Sequence, residues 1–213
     1  MQKNNITCHF VLSIIVACFF IACNTVNNNN TKITKPVIEP ANPFAAVDKS
    51  PMDESYYPVN YPLLKMNGGD TNSLIARLIY SRPQKNGRNI FGNEPPPKYV
   101  QQFGTFWRLG ANEASEIEFF KPVTIKGQKI LKGRYIIYCI PFEDKWIIIL
   151  NSNLFSWGLH PNPQKDIAKI EIPLFKTEQS VEFFSMVFEK TATGLNLIIA
   201  WDNVKASLPI SFK

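Results

Sequence analysis

Residues 167–173 read Ile-Ala-Lys-Ile-Glu-Ile-Pro. Ile170 and Ile172 fall on one side of an extended chain, Lys169 and Glu171 on the other. Successive side chains of a strand point to opposite faces, so this alternation describes a strand with one face buried. The same kind of run recurs on both sides of it: LIARLIY (74–80), TFWRL (105–109), EIEFF (116–120), VTIKGQKI (123–130), RYIIYCI (134–140), KWIIILN (145–151), VEFFSMVFE (181–189), LNLIIAWD (195–202) and VKASLPISF (204–212). Each is short, rich in β-branched and aromatic residues, and bounded by Gly, Pro, Asn or Asp. No longer stretch carries helical periodicity. About nine or ten strands at this spacing predict an all-β domain, an antiparallel β-sandwich or jelly roll. Lys132-Gly133, Phe142-Glu143-Asp144 and Thr193-Gly194 read as hairpin corners. Pro209 predicts an edge strand or a bulge in the last run.

The N-terminal residues have another character. After Met1-Gln2-Lys3-Asn4-Asn5 comes an apolar run, Phe10 to Ala22. It is shorter than the roughly 20 residues of a membrane-spanning helix, and it has the form of a signal-peptide core. It ends in Phe20-Ile21-Ala22-Cys23, which resembles the lipobox of bacterial lipoproteins. A small residue before the cysteine opens the bond to the peptidase, and the thiol takes the diacylglycerol. Ile15-Val16-Ala17-Cys18 is also box-like, but it would leave Phe19-Phe20-Ile21-Ala22 where a polar tether belongs. Cys23 is the preferred lipidation site, with Cys18 the alternative. The Asn-rich, Pro-spaced residues that follow bury too little apolar surface to offset their ordering entropy. The expected organisation is therefore a lipoprotein signal peptide at 1–22, a flexible tether at 23–50 and a β-sandwich domain at 51–213. The expected location is the bacterial cell envelope, lipid-anchored, with the outer membrane favoured and the leaflet open.

Removal of the leader takes away Cys8, Cys18 and His9. Cys139 is then the one thiol in the domain and His160 the one histidine, which argues against a disulfide and against a zinc enzyme. No metal and no cofactor are expected. The net charge of +6 falls to +5 once Lys3 leaves. The cations are scattered with no basic-aromatic stripe, so nucleic acid is not expected as a partner.

One block departs from plain strand: Phe106-Trp107-Arg108-Leu109-Gly110-Ala111-Asn112-Glu113-Ala114-Ser115. Upstream of it stand Tyr80-Ser81-Arg82-Pro83 and Gly87-Arg88-Asn89-Ile90-Phe91-Gly92; downstream stand Lys132-Gly133-Arg134-Tyr135, Ile140-Pro141, Trp146 and Trp157-Gly158. The series resembles the domain-of-unknown-function 2911 family of bacterial envelope proteins, from about Ser50 to Phe212. The sequence departs from the family pattern at Leu109, where Thr is usual, and in the Pro-rich Asn93–Lys98 segment. The resemblance implies a β-sandwich-like fold and no particular activity.

Two readings of the block compete. In the structural one, Gly110 takes a positive φ, Asn112 bonds nearby backbone, Arg108 pairs with Glu113, and Trp107 is core. In the functional one, Arg82, Arg88, Arg108, Asn112 and Glu113 converge on a polar cleft, because guanidinium forks match anionic groups. No nucleophile–base pair accompanies them, so binding of a polar or anionic, glycan-derived small molecule is expected rather than catalysis. The alternatives are an envelope hydrolase or lyase using Glu113, and a structural or assembly module. Other candidates carry less. Glu113 with Glu116 or Glu118 has the residue types of a glycosidase pair, although solvated strand acids are the ordinary case. Ser81, Ser115 or Ser156 with His160 lacks a nucleophile elbow. Trp157-Gly158-Leu159-His160-Pro161 reads as a loop able to stack a sugar ring. Cys139 reads as an inert core thiol.

Overall fold

The alternating segment at 167–173 opens a single long strand, β10 (Asp166–Lys190), in a computed structural model that describes residues 44–68 and 73–213. The signal peptide, Cys23 and most of the expected tether lie outside those residues. The other strands are β1 (Met52–Tyr57), β2 (Ala76–Ser81), β3 (Phe91–Gly92), β4 (Gln101–Gln102), β5 (Glu116–Phe119), β6 (Val123–Ile125), β7 (Gln128–Ile130), β8 (Gly133–Pro141), β9 (Lys145–Asn151) and β11 (Gly194–Ser211). A helix of six residues, α1 (Tyr61–Met66), and a short 3-10 turn at Pro163–Lys165 complete the described elements. The antiparallel order is β1-β2-β5-β8-β9-β10-β11-β6-β7, with β3 and β4 a separate parallel pair. The all-β, sandwich-like expectation agrees with this architecture.

β10 makes two layers out of one sheet. Its first part pairs with β9, from Asp166 opposite Asn151 to Pro173 opposite Lys145. Its second part pairs with β11, from Leu174 opposite Ala206 to Lys190 opposite Leu195. Within the β11-paired part the register slips twice, across Lys176–Val181 and Val181–Ser185. Bulges of this kind bend a strand and increase its twist. The runs at 167–173 and 181–189 are thus one bent strand, as are those at 195–202 and 204–212.

The second layer is closed onto the first along a seam made partly by side chains. Beyond β2 the backbone reaches β10 directly, with Phe184 N donating to Pro83 O at 2.9 Å and Lys85 N to Glu182 O at 2.7 Å. Farther along, Met186 N donates to the Tyr80 hydroxyl at 3.0 Å and Phe188 N to Ser55 Oγ at 3.3 Å. Arg82 spans the same seam, with Nε on Phe184 O and Nη2 on Ser185 Oγ, while Nη1 lies 3.1 Å from Asp53 Oδ2.

Inside, Phe91, Trp107, Trp146, Phe184 and Trp201 form an aromatic centre. Trp107 stacks on Trp201 at 5.9 Å and meets Phe91, Trp146 and Phe184 edge-on at 5.0–5.5 Å. A smaller cluster of Ala114, Ile136, Tyr138 and Ile149 covers the opposite face of β8 and β9. These two strands are therefore apolar on both faces, which explains why their sequences are continuous rather than alternating.

Several local expectations are corrected. Residues 105–109 form only an isolated bridge at Trp107. Met52–Tyr57 is a strand that its mixed composition conceals. Lys132-Gly133 joins two strands that do not pair with each other, so it is no hairpin corner. β11 is not an edge strand: Pro209 lies beyond the last β10 partner, Ala206, and before the first β6 partner, Ile210, so no ladder bond is lost there. The corners at 142–144 and 193–194 do connect paired strands.

Tyr80→Phe should destabilise the fold by about 1–3 kcal/mol, because it strands the buried Met186 N–H. Burial pushes the Tyr80 phenol up to about 12 from an ordinary 10.0. Above pH 10 the unfolded chain ionises first, so stability present below that pH falls as pH rises towards 12. The maximal increment is about 2–3 kcal/mol. Urea melts at pH 8 and pH 11 check both statements: the wild type should lose stability between them, and Tyr80→Phe should lose less.

Candidate functional site

The block at 106–115 is a loop extruded from a strand. Trp107 exchanges two 2.8 Å backbone bonds with Cys139. Two residues back on β8, Ile137 N donates to Ser115 O at 2.9 Å. Residues 108–114 therefore leave the ladder between adjacent inward positions of β8, and Ser115 closes their base by donating from Oγ to Leu109 O at 2.5 Å. The turn uses Leu109, Gly110 and Asn112 at φ of 52°, 151° and 58°. The expected positive φ at Gly110 is present, and a Cβ there would lie 2.8 Å from Ser81 O.

A second loop stands beside the first. Gly158 has a φ of 82°, and a Cβ on it would lie 2.9 Å from Ala114 Cβ and 3.0 Å from Arg108 Cβ. Only glycine lets the two backbones approach so closely. Between these loops and the edge formed by β1, β2 and β5 lies a cleft of about 430 Å³. Glu113 and Glu116 line it, with Phe155, Trp157, Met52 and Tyr80 among the apolar walls. Trp157 and Phe155 are 59% and 84% exposed, far beyond what core aromatics show.

Each aromatic wall carries an arginine. The Arg108 guanidinium lies 5.9 Å from the Trp157 ring, and the Arg134 guanidinium 5.2 Å from the Phe155 ring. Arg108 also donates to Trp157 O at 3.4 Å. Burial lowers the Arg108 pKa, and the Glu113 carboxylate opposes that shift. The two residues interact through space without closing an ion pair. Arg134 Nε lies 2.9 Å from Glu116 Oε2, close as an ion pair but not aligned as a hydrogen bond. Among the described residues Glu113 makes no hydrogen bond and no ion pair.

The remaining candidates are dispersed. Arg82 belongs to the seam, and Arg88 donates to the carbonyls of Gln84 and Lys85. Neither is among the residues lining the cleft. Asn112 does not bond its own turn; Nδ2 donates to Asp48 Oδ2 at 2.7 Å and to Ser50 O at 3.4 Å. The end of the expected tether is thus seated on this loop. Glu118 pairs with Arg77 at 2.6 Å. Ser115 is buried on Leu109 O, His160 is exposed, and Cys139 is fully buried with its thiol pKa pushed up by that burial. Phe155 is the wall residue that the sequence did not disclose. Its only signal is a large apolar side chain in a segment with no strand pattern.

Gly110→Val should cost about 1–3 kcal/mol, since a β-branched residue takes that backbone only with strain. Gly158→Ala should also destabilise, by prising the two loops apart. Arg108→Met should lower stability less than Gly110→Val, because its contacts are long and partly solvated. Thermal melts of the three variants give the order.

The family model described as a protein of unknown function (DUF2911) matches residues 66–210. No curated protein and no solved structure matches the chain. The matched span runs from the end of α1 to Ile210 and includes both loops of the cleft, so the chain belongs to the DUF2911 family.

Proposed function

We propose that this protein is a non-catalytic binding protein that holds a small, polar, glycan-derived ligand in the cleft between the 108–114 and 155–158 loops. The observation that carries the reading is the exposed pair Phe155 and Trp157 beside an unpartnered Glu113 carboxylate. A pyranose presents apolar C–H faces to an aromatic ring and hydroxyl donors to a carboxylate. The Glu113 carboxylate, the one in the cleft without an ion pair among the described residues, favours a neutral or amino sugar over an anionic one. Arg108 and Arg134 orient the rings and leave at most one face of each for a ligand. The hydrolase or lyase reading draws on Glu113 and Glu116 sharing one cleft. Against it, Glu116 is already paired with Arg134.

The leader and tether support export and acylation at Cys23. Attached to the envelope in this way, the domain would sit among glycans at high local concentration.

Calorimetric titration with neutral and acidic oligosaccharide fragments tests the cleft. Glu113→Gln should weaken binding of a neutral fragment about tenfold or more, as loss of a charge-assisted bond does. Trp157→Ala should weaken it as well. Binding unchanged in both variants refutes the assignment, and steady release of shortened fragments revives the enzyme reading. For the anchor, Cys23→Ser should abolish labelling by a fatty-acid probe. Undiminished labelling moves the site to Cys18.

A further inference from the structure

A second cleft lies at the other end of the β1–β2 hairpin. The first is bounded by Met52 and Ser81; this one is bounded by Tyr57 and Ile75, at the opposite ends of the two strands. Its volume is about 530 Å³, within the range of small-molecule sites. Tyr57 and Phe212 form an aromatic wall, with ring centres 5.7 Å apart. The Tyr57 hydroxyl donates to Gly194 O at 3.2 Å, which fixes that ring in place. The wall is therefore preformed.

Lys121 and Lys190 line the same cleft, and among the described residues no acidic side chain lines it. Lys121 Nζ lies 5.0 Å above the Phe212 ring. An ammonium held over an aromatic face still has N–H donors that point away from the ring. Neither lysine forms an ion pair or a hydrogen bond among the described residues. Lys85, Lys145 and Lys169, by contrast, each have a carboxylate partner. Two unspent cations at the mouth of an apolar, aromatic cavity define a complement: one anionic head on one apolar body.

We infer that this cleft binds an organic anion, a carboxylate or phosphate carried on an alkyl or aryl body, with Lys121 and Lys190 on the head and Tyr57, Ile75 and Phe212 against the body. The site is independent of the sugar-binding reading. It differs from the first cleft in charge: carboxylates line one, ammonium groups the other. It also gives the anionic ligand expected from the sequence a place where, among the described residues, no carboxylate opposes it.

Octanoate, octyl phosphate, octanol and inorganic phosphate titrated calorimetrically into the full chain test the assignment. Saturable binding of octanoate or octyl phosphate is expected, and the tighter of the two identifies the head group. Octanol and inorganic phosphate should each bind about tenfold more weakly or worse, as each lacks one half of the complement. Lys121→Gln and Lys190→Gln should each weaken the amphiphile by about tenfold. Both side chains reach solvent, so the variants should melt like the wild type. Lys190→Arg should retain binding, and Trp157→Ala should leave it unchanged. Absence of saturable binding overturns the inference. So does octanol binding as tightly as octanoate, inorganic phosphate binding as tightly as the amphiphile, or unchanged affinity in both lysine variants.

Discussion

Trp107 is tied to the structure in two ways at once. Its backbone exchanges two bonds with Cys139, and its indole touches four other aromatic rings from both layers. Aromatic pairs of this geometry contribute about 0.5–1.5 kcal/mol each beyond simple burial. The anchored indole defines where the chain leaves β8 and where it must return, at Ser115. Between those points residues 108–114 have nowhere to go but outward, and they carry Glu113 to the rim of the cleft. The site is therefore a consequence of the core. The aromatic centre fixes the base of the loop, and the loop positions the carboxylate.

The second constraint is the bend in β10. A strand of 25 residues would be too long for one flat layer of this domain, at roughly 3.3 Å per residue. The two register slips convert it into a hinge-like edge shared by both layers. The bend brings Glu182–Phe188 against the end of β2 and against β1. Strand pairing there is incomplete, and the hydroxyls of Tyr80 and Ser55 accept from the backbone in its place. A buried N–H without an acceptor is costly. The seam thus explains why a tyrosine, rather than a phenylalanine, occupies a core-facing position of β2.

Much of the fold was legible in the residues. The 2.0-residue alternation at 167–173 and the apolar runs at 134–140 and 145–151 sit in strands, and the corners at 142–144 and 193–194 join paired strands. What periodicity does not encode is continuity across a bulge, so one bent strand read as two. Nor does it encode strands whose outward face is mostly polar and whose inward face is short, and β1 was missed for that reason. The candidate site was legible in part. Arg108, Asn112 and Glu113 share one loop because they are neighbours in sequence, and Gly110 has the backbone that its place in the block requires. The partners of that loop come from residues 48–50 and 155–158, and such distant pairings leave no local signal.

The arginines show why residue type alone does not locate a ligand. A guanidinium offers five donors in a planar fork, and that fork fits backbone carbonyls and an aromatic face as well as it fits an anion. Arg82 uses its fork on β10 and Asp53, and Arg88 on the turn it closes. Arg108 donates to the carbonyl of Trp157, and Arg134 is ion-paired with Glu116. Each thus has a protein partner that already satisfies it, and recruiting it for a ligand would mean first breaking that contact. A group with no hydrogen bond or ion pair among the described residues carries no such penalty. By that criterion the residues of interest are Glu113 in one cleft and Lys121 and Lys190 in the other. They have opposite charge, which means that one small molecule would not suit both places. The unpaired groups therefore divide the β1–β2 hairpin into two chemically distinct ends, one suited to hydroxyl or ammonium donors and the other to an anionic head.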